Sequence, residues 1–181
     1  MKSKLFKTET EKKLTKKQWA LFITGLIAIM IGTIILSFFC IRKLYREIQK
    51  QKLFRENAVI EISELNIKAP VLEGTDKKTL SKAAGHFIGT GDIGCGNYCI
   101  AGHSSVIYKE YFNNLKKAEI GMEIILYDKN KKPYTYIVTD KFIIKPDETW
   151  VLNDFGDDRI TIITCTDDGT ERQAVVGILK T

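Results

Sequence analysis

The 181-residue sequence predicts a mostly β domain, closed or nearly closed into a barrel with short helices, preceded by one N-terminal transmembrane helix. Two observations carry that prediction. Residues 19–41 (WALFITGLIAIMIGTIILSFFCI) contain no charged side chain, and residues 58–181 hold many short apolar runs separated by turn residues. Many short strands with few helices over about 120 residues suit a closed sheet. The length fits one domain plus something extra, and the composition is that of a globular protein.

The apolar run comes first. Its 23 residues, at about 1.5 Å rise each, span a hydrocarbon core of roughly 30 Å. A cleaved signal peptide has a shorter apolar region and a small-x-small cleavage site, which is missing here. A buried core helix would show a polar face. The expected organisation is therefore a tail over residues 1–18, a membrane span over 19–41, a juxtamembrane linker or polar helical continuation over 42–57, and a folded domain over 58–181. Seven lysines precede the span and six basic residues follow it, so charge bias favours N-inside only slightly.

The net charge of +6 invites a nucleic-acid reading. Its distribution argues against one. Residues 1–57 carry 13 basic and four acidic side chains, whereas the remainder carries 15 basic and 18 acidic. A nucleic-acid-binding domain keeps its basic excess on the folded part.

Within the domain, Val59–Ile62 and Ala69–Leu72 read as strands. Asp76–Ala83 reads as a short helix with Thr75 as its N-cap. Residues 84–96 form a glycine-rich loop, Tyr98–Ala101 a strand, and Tyr108–Leu115 one or two helical turns. Met122–Tyr127 and Tyr134–Ile144 flank DKNKKP as a hairpin. Arg159–Cys165 and Gln173–Leu179 flank TDDGTE as a second hairpin.

The glycine loop is not a phosphate cradle, because no Gly-Lys-Ser/Thr follows and a strand, not a helix, comes next. Its glycines are expected to turn the chain tightly beside a site. Two histidines are present. His86 sits inside the glycine loop and reads as structural. His103 follows an apolar strand and Gly102, then meets Ser104 and Ser105, which places an imidazole on a strand-end rim with small neighbours.

Cys165 ends the strand RITIITC, whose isoleucines point to both sides. A thiol at the mouth of such a strand is fixed yet reachable. Six residues separate it from Arg172. Direct pairing across the hairpin would put both side chains on one sheet face. Cys, His and Arg on strand ends suffice for acyl transfer. A thiolate attacks, an imidazole moves the proton, and a guanidinium steadies the oxyanion. A rival metal site, C-x3-C-x3-H over Cys95, Cys99 and His103, needs a helix that the surrounding glycines disfavour, and it lacks a fourth ligand. No metal is therefore assigned.

At these residues the chain resembles a sortase. Asp158–Cys165 (DRITIITC) is similar to the family's strand ending in T-L-x-T-C, with Ile162 in the Leu position. Arg172 matches the Arg on the following strand, and Ile100-Ala101-Gly102-His103 the catalytic-histidine segment. Ile60-Glu61-Ile62 through Pro70–Gly74 resembles the first hairpin, and Ala84-Gly85-His86 with Gly89-Thr90 the glycine-rich segment. The likeness covers nearly everything from Ile60 to Leu179. The core looks most like class A, and the short connection from Cys165 to Arg172 fits class D.

The resemblance implies an eight-stranded barrel. It implies a cysteine transpeptidase with Cys165, His103 and Arg172 as its catalytic residues, and with Thr164 and Ser104 as substrate contacts. Its partners would be secreted proteins bearing a C-terminal sorting signal similar to Leu-Pro-x-Thr-Gly and an amine-bearing peptidoglycan precursor. No cofactor is required. Some class A members use calcium, for which Glu110 and Asp147 are available acids without an assigned site. The location implied is the cell membrane of a Gram-positive cell, single-pass, with the N-terminus cytoplasmic and the domain extracellular. Two rivals stand beside this reading: a membrane-tethered barrel that only binds, and a cysteine peptidase or peptidoglycan hydrolase with a similar dyad. A disulfide between Cys95 and Cys99 stays open.

Overall fold

The structure, a computed structural model, describes residues 15–104 and 111–180. The chain divides into two compact units, residues 1–49 and 50–181. Helix α1 spans Lys16–Glu56, so residues 42–56, expected as linker or helical continuation, are helical. None of its described side chains is buried, and its apolar stretch is long enough to cross a membrane.

The second unit is a closed eight-stranded barrel. Its strands are β1 (Ala58–Ile62), β2 (Ile67–Glu73), β3 (Ala84–His86), β4 (Asn97–Ala101), β5 (Glu123–Tyr127), β6 (Pro133–Ile144), β7 (Arg159–Cys165) and β8 (Arg172–Leu179). They neighbour one another in the order β1-β2-β3-β4-β7-β8-β6-β5, and β1 closes on β5. Two pairs, β2 with β3 and β4 with β7, run parallel, and the others run antiparallel.

Both expected hairpins form. Three local expectations need correction. The segment read as the start of a glycine loop contributes β3, three residues that pair with β2 on one side and β4 on the other. The short helix α2 covers only Lys77–Leu80, and its N-cap is Asp76, not Thr75. The Asp76 carboxylate accepts from the Thr79 hydroxyl and from the Thr79 and Lys78 backbone N–H groups, which together hold its pKa below the usual value. The helical turn placed at Tyr108–Leu115 lies partly outside the described residues, and the observed 3-10 turn is Leu115–Lys117.

Alternation along the strands builds two cores. Tyr98, Ile100, Ile160, Ile162 and Val175 point into the barrel with Ile60, Ile124, Leu126 and Tyr136. Their odd-numbered neighbour Ile163 points outward, and packs with Ile144, Val151, Phe87 and Leu152 from the segments that cover this face. The outer cluster sits where β7 ends, so the end of β7 is walled on one side without being sealed.

Candidate active site

The β7–β8 register pairs Cys165 directly with Arg172. Both therefore lie on the outer sheet face, the one that carries Ile163. The connecting turn is held by its own side chains. Thr166 N–H donates to the Glu171 carbonyl at 3.1 Å, and Gly169 N–H to the Thr166 carbonyl at 2.9 Å. The Asp168 carboxylate accepts from the Thr166 hydroxyl at 2.6 Å and the Thr170 hydroxyl at 2.7 Å. Those hydrogen bonds pull the Asp168 pKa down to about 2. Gly169, at φ +74°, takes the left-handed conformation that lets so short a turn close.

The Arg172 guanidinium leans on this turn. Its Nη1 donates to the Gly169 carbonyl at 3.2 Å and the Glu171 carbonyl at 2.9 Å. Of five N–H donors, three remain on Nε and Nη2 for a ligand.

His103 arrives from the other side of β7. Ala101 pairs with Ile163 in the parallel β4–β7 ladder. Two residues further along each chain stand His103 and Cys165, level with one another. The end of β4 is fixed by three contacts. Gly102 N–H donates to the Ile163 carbonyl at 3.1 Å, and the Thr164 hydroxyl donates to the Gly102 carbonyl at 2.8 Å. Phe112 N–H donates to the His103 carbonyl at 3.4 Å. Gly102 lacks a side chain for a reason the sequence did not disclose. A Cβ there would come within 2.4 Å of the Phe112 ring, which is fully buried. The space is filled by Phe112.

His103, Cys165 and Arg172 line one cavity of about 330 Å³, with Leu80, Phe87, Ala101, Ile144, Val151 and Ile163 among its apolar walls. The three site residues named from the sequence are thus brought together. The two expected substrate contacts divide. Thr164 is 4% exposed and its hydroxyl hydrogen is used by Gly102, although it touches this cavity. Ser104 lies on a second depression on the other side of Cys165. Glu110 and Ser105 lie outside the described residues, and Asp147 sits exposed in the turn after β6. Among the described residues no three His, Cys, Asp or Glu side chains are grouped to hold a metal ion.

The remaining motif residues belong elsewhere. Cys95 and Cys99 are both free thiols. Cys99 is buried on β4, which pushes its thiol up to about 11. His86 is structural, as expected. It is buried, stacks on Tyr98 at 4.2 Å between ring centroids, and meets the Glu73 carboxylate through Nδ1 at 2.9 Å. The glycine loop beyond it turns beside a different cavity of about 380 Å³, lined by His86, Asp92, Ile93 and Tyr98. Tyr98 pairs with Ile160, five residues before Cys165. At about 3.3 Å per residue its Tyr98 wall lies roughly 16 Å along the strand from the thiol. The glycine-rich segment thus turns beside this second cavity, and only Phe87 of it reaches the wall of the Cys165 cavity.

The sortase domain model matches residues 60–180, two thirds of the chain. The chain belongs to the sortase family. It is 34% identical over 122 residues to Sortase A of Bacillus anthracis, covering 66% of this chain and 58% of that protein. It is 33% identical over 120 residues to Sortase A of Streptococcus agalactiae, covering 62% and 48%. This sortase chain thus spans about half the length of those curated relatives. Among solved structures, the Clostridium perfringens Sortase D5 transpeptidase superposes with a TM-score of 0.63 at 31% identity, covering 75% of this chain and 89% of that one. Sortase C-1 from Actinomyces oris superposes with a TM-score of 0.63 at 29% identity, covering 68% and 71%.

Proposed function

We propose that this sortase is a membrane-tethered cysteine transpeptidase that cleaves a Leu-Pro-x-Thr-Gly-like sorting signal between Thr and Gly and joins the protein to an amine of the cell wall. The observation that carries the reading is the direct pairing of Cys165 with Arg172 on the wall of an apolar cavity shared with His103.

In this reading the apolar cavity receives the Leu-Pro end of the signal. Cys165 Sγ, as thiolate, attacks the Thr carbonyl carbon. The oxygen takes the charge and accepts N–H groups from the Arg172 guanidinium, which the turn carbonyls hold in place. Collapse breaks the C–N bond, and the leaving Gly nitrogen takes a proton from the His103 imidazolium. A thioester remains on Cys165. An amine on a peptidoglycan precursor then attacks that carbonyl, gives a proton to His103, and releases the thiolate. Three side chains handle every charge and proton, so no cofactor is required. Calcium would act only as a modulator. Thr164 is a positioning residue that ties β7 to the strand end carrying His103.

The substrates proposed are secreted proteins, so the barrel faces the cell exterior and α1 crosses the membrane once with its N-terminus in the cytoplasm. The test uses the full chain in detergent micelles. A peptide containing Leu-Pro-x-Thr-Gly should leave an acyl adduct on Cys165 by mass spectrometry, and triglycine should convert it to an amide product. Absence of an adduct across a series of such peptides, or product formation by Cys165→Ala, overturns the proposal.

A further inference from the structure

Cys165 lines two depressions. The first is the apolar cavity. The second, about 210 Å³, is lined by Cys165 together with the polar side chains of Ser104, Lys116, Asp167 and Gln173. On its wall the Lys116 ammonium sits on the Asp167 carboxylate, with Nζ 3.0 and 2.7 Å from the two oxygens. The pair is open to solvent, at 43% and 58% side-chain exposure.

The groups that carry this pair are fixed. Gln173, the residue after Arg172, is buried and donates from Nε2 to the Leu115 carbonyl at 3.0 Å. Lys141 Nζ donates to the Lys116 and Ala118 carbonyls at 3.1 and 2.8 Å. The 3-10 turn bearing Lys116 is thereby fastened to β8 and β6. Asp167 sits in the Asp168-braced turn next to Arg172. An ammonium–carboxylate contact is thus held on the rim of a depression that opens on the thiol.

We propose that Asp167 docks the primary ammonium of the acyl acceptor, and that Lys116 is an internal ammonium that fills the carboxylate until the acceptor displaces it. The proposal rests on the transpeptidase reading. The donor's apolar end fills the first cavity, so the second depression is the open approach to the thioester. Exchange of one ammonium for another on so exposed a carboxylate costs little. The docked R–NH3+ loses one proton to solvent. Its nitrogen then bonds to the thioester carbon, the C–S bond breaks, the second proton passes to neutral His103, and Sγ leaves as thiolate. Water carries no charge and gains nothing from Asp167, so the residue favours aminolysis over hydrolysis.

The test is the ratio of amide to free acid formed from the Cys165 thioester, a quantity independent of how much enzyme folds. It is read by mass spectrometry on the full chain at limiting acceptor. Two acceptors distinguish the source of the amine: triglycine offers an α-ammonium and Nα-acetyl-lysine amide a side-chain ammonium. Asp167→Asn should lower the ratio about two- to fivefold with the preferred acceptor, the worth of an exposed ion pair. Lys116→Gln should raise it, because the competitor is gone. Added salt should shrink both effects. An unchanged ratio for Asp167→Asn with both acceptors, or two variants that shift it in the same direction, overturns the proposal. Failure of the wild-type chain to form any Cys165 adduct instead removes the transpeptidase reading, and this inference with it.

Discussion

Replacing Gly102 with Ala tests how the strand end that carries His103 is held. A Cβ at this position would lie 2.4 and 2.5 Å from two ring carbons of Phe112. The ring cannot swing away without displacing core, because Phe112 is completely buried in the barrel core. Gly102 does not have positive φ, so the penalty is steric and not conformational. Overpacking of this kind costs about 1–3 kcal/mol. At roughly 3–5 °C per kcal/mol for a domain of this size, the melting temperature should fall by about 3–15 °C. The alternative relaxation moves residues 101–103 off β7, breaking the contacts of Gly102 with Ile163 and Thr164. Either route displaces His103, so acylation of Cys165 should slow well below the melting temperature. Phe112→Leu removes Cε2 and replaces the rigid ring with a shorter side chain that can rotate away from the added methyl. The double variant Gly102→Ala/Phe112→Leu should therefore be more stable than the sum of the single losses, with a coupling of about 1 kcal/mol or more. Scanning fluorimetry and the rate of peptide adduct formation provide the two readouts. A Gly102→Ala chain that melts and acylates like wild type, or losses that simply add, would refute the reasoning.

Arg172→Ala should cost about 10²–10³ in the acylation rate, and Arg172→Lys should recover little of it, since one ammonium cannot both brace the turn carbonyls and present a planar pair of donors; steady-state kinetics within threefold of wild type for the lysine variant would remove the argument. The Asp168 carboxyl, held at about 2 by Thr166 and Thr170, is depressed in the folded state. Its contribution to the turn is therefore fully present above the unfolded value near 3.8 and is lost only as pH falls through about 2; a carboxyl-carbon NMR titration of Asp168 with a midpoint near 4 would contradict this. Burial lifts the Cys99 thiol to about 11, so iodoacetamide at neutral pH should label Cys165 while sparing Cys99 until the chain is unfolded, as peptide mapping would show.

Local pattern and non-local pairing explain what could be read from residues alone. The β7–β8 hairpin was legible because its register is set within a few residues: six positions between Cys165 and Arg172 allow the direct pair that forms. The membrane helix was legible from length and charge. The strand β3 was not, because three residues carry no periodicity, and its partners lie in β2 and β4. Asp76 and Thr75 are both capping residue types, and only the backbone decides between them. The Lys116–Asp167 contact joins residues 51 apart on elements whose adjacency no local pattern encodes. The place of Thr164 beside Cys165 suggests a substrate contact; alternation turns its hydroxyl inward to the Gly102 carbonyl, a partner no local pattern encodes, while the residue still lines the Cys165 cavity.

That opposite-face hydrogen bond points to what the topology contributes. A strand-end histidine and a strand-end cysteine are each recognisable from sequence, but two strand ends meet only if their strands run the same way. Had β4 and β7 been antiparallel neighbours, Ala101 would face the start of β7 and His103 would stand a strand's length from Cys165. The parallel ladder, with Ala101 against Ile163, puts both ends at one rim, where neighbouring strands are about 4.8 Å apart. The antiparallel β8 then returns Arg172 to the same rim from the other flank. One parallel pair inside an otherwise mostly antiparallel barrel thus assembles the candidate dyad. Weakening that pair at its last rungs, through Thr164 or Gly102, should therefore impair acylation more than an equal loss of stability placed at the far end of the same ladder, where Tyr98 pairs with Ile160.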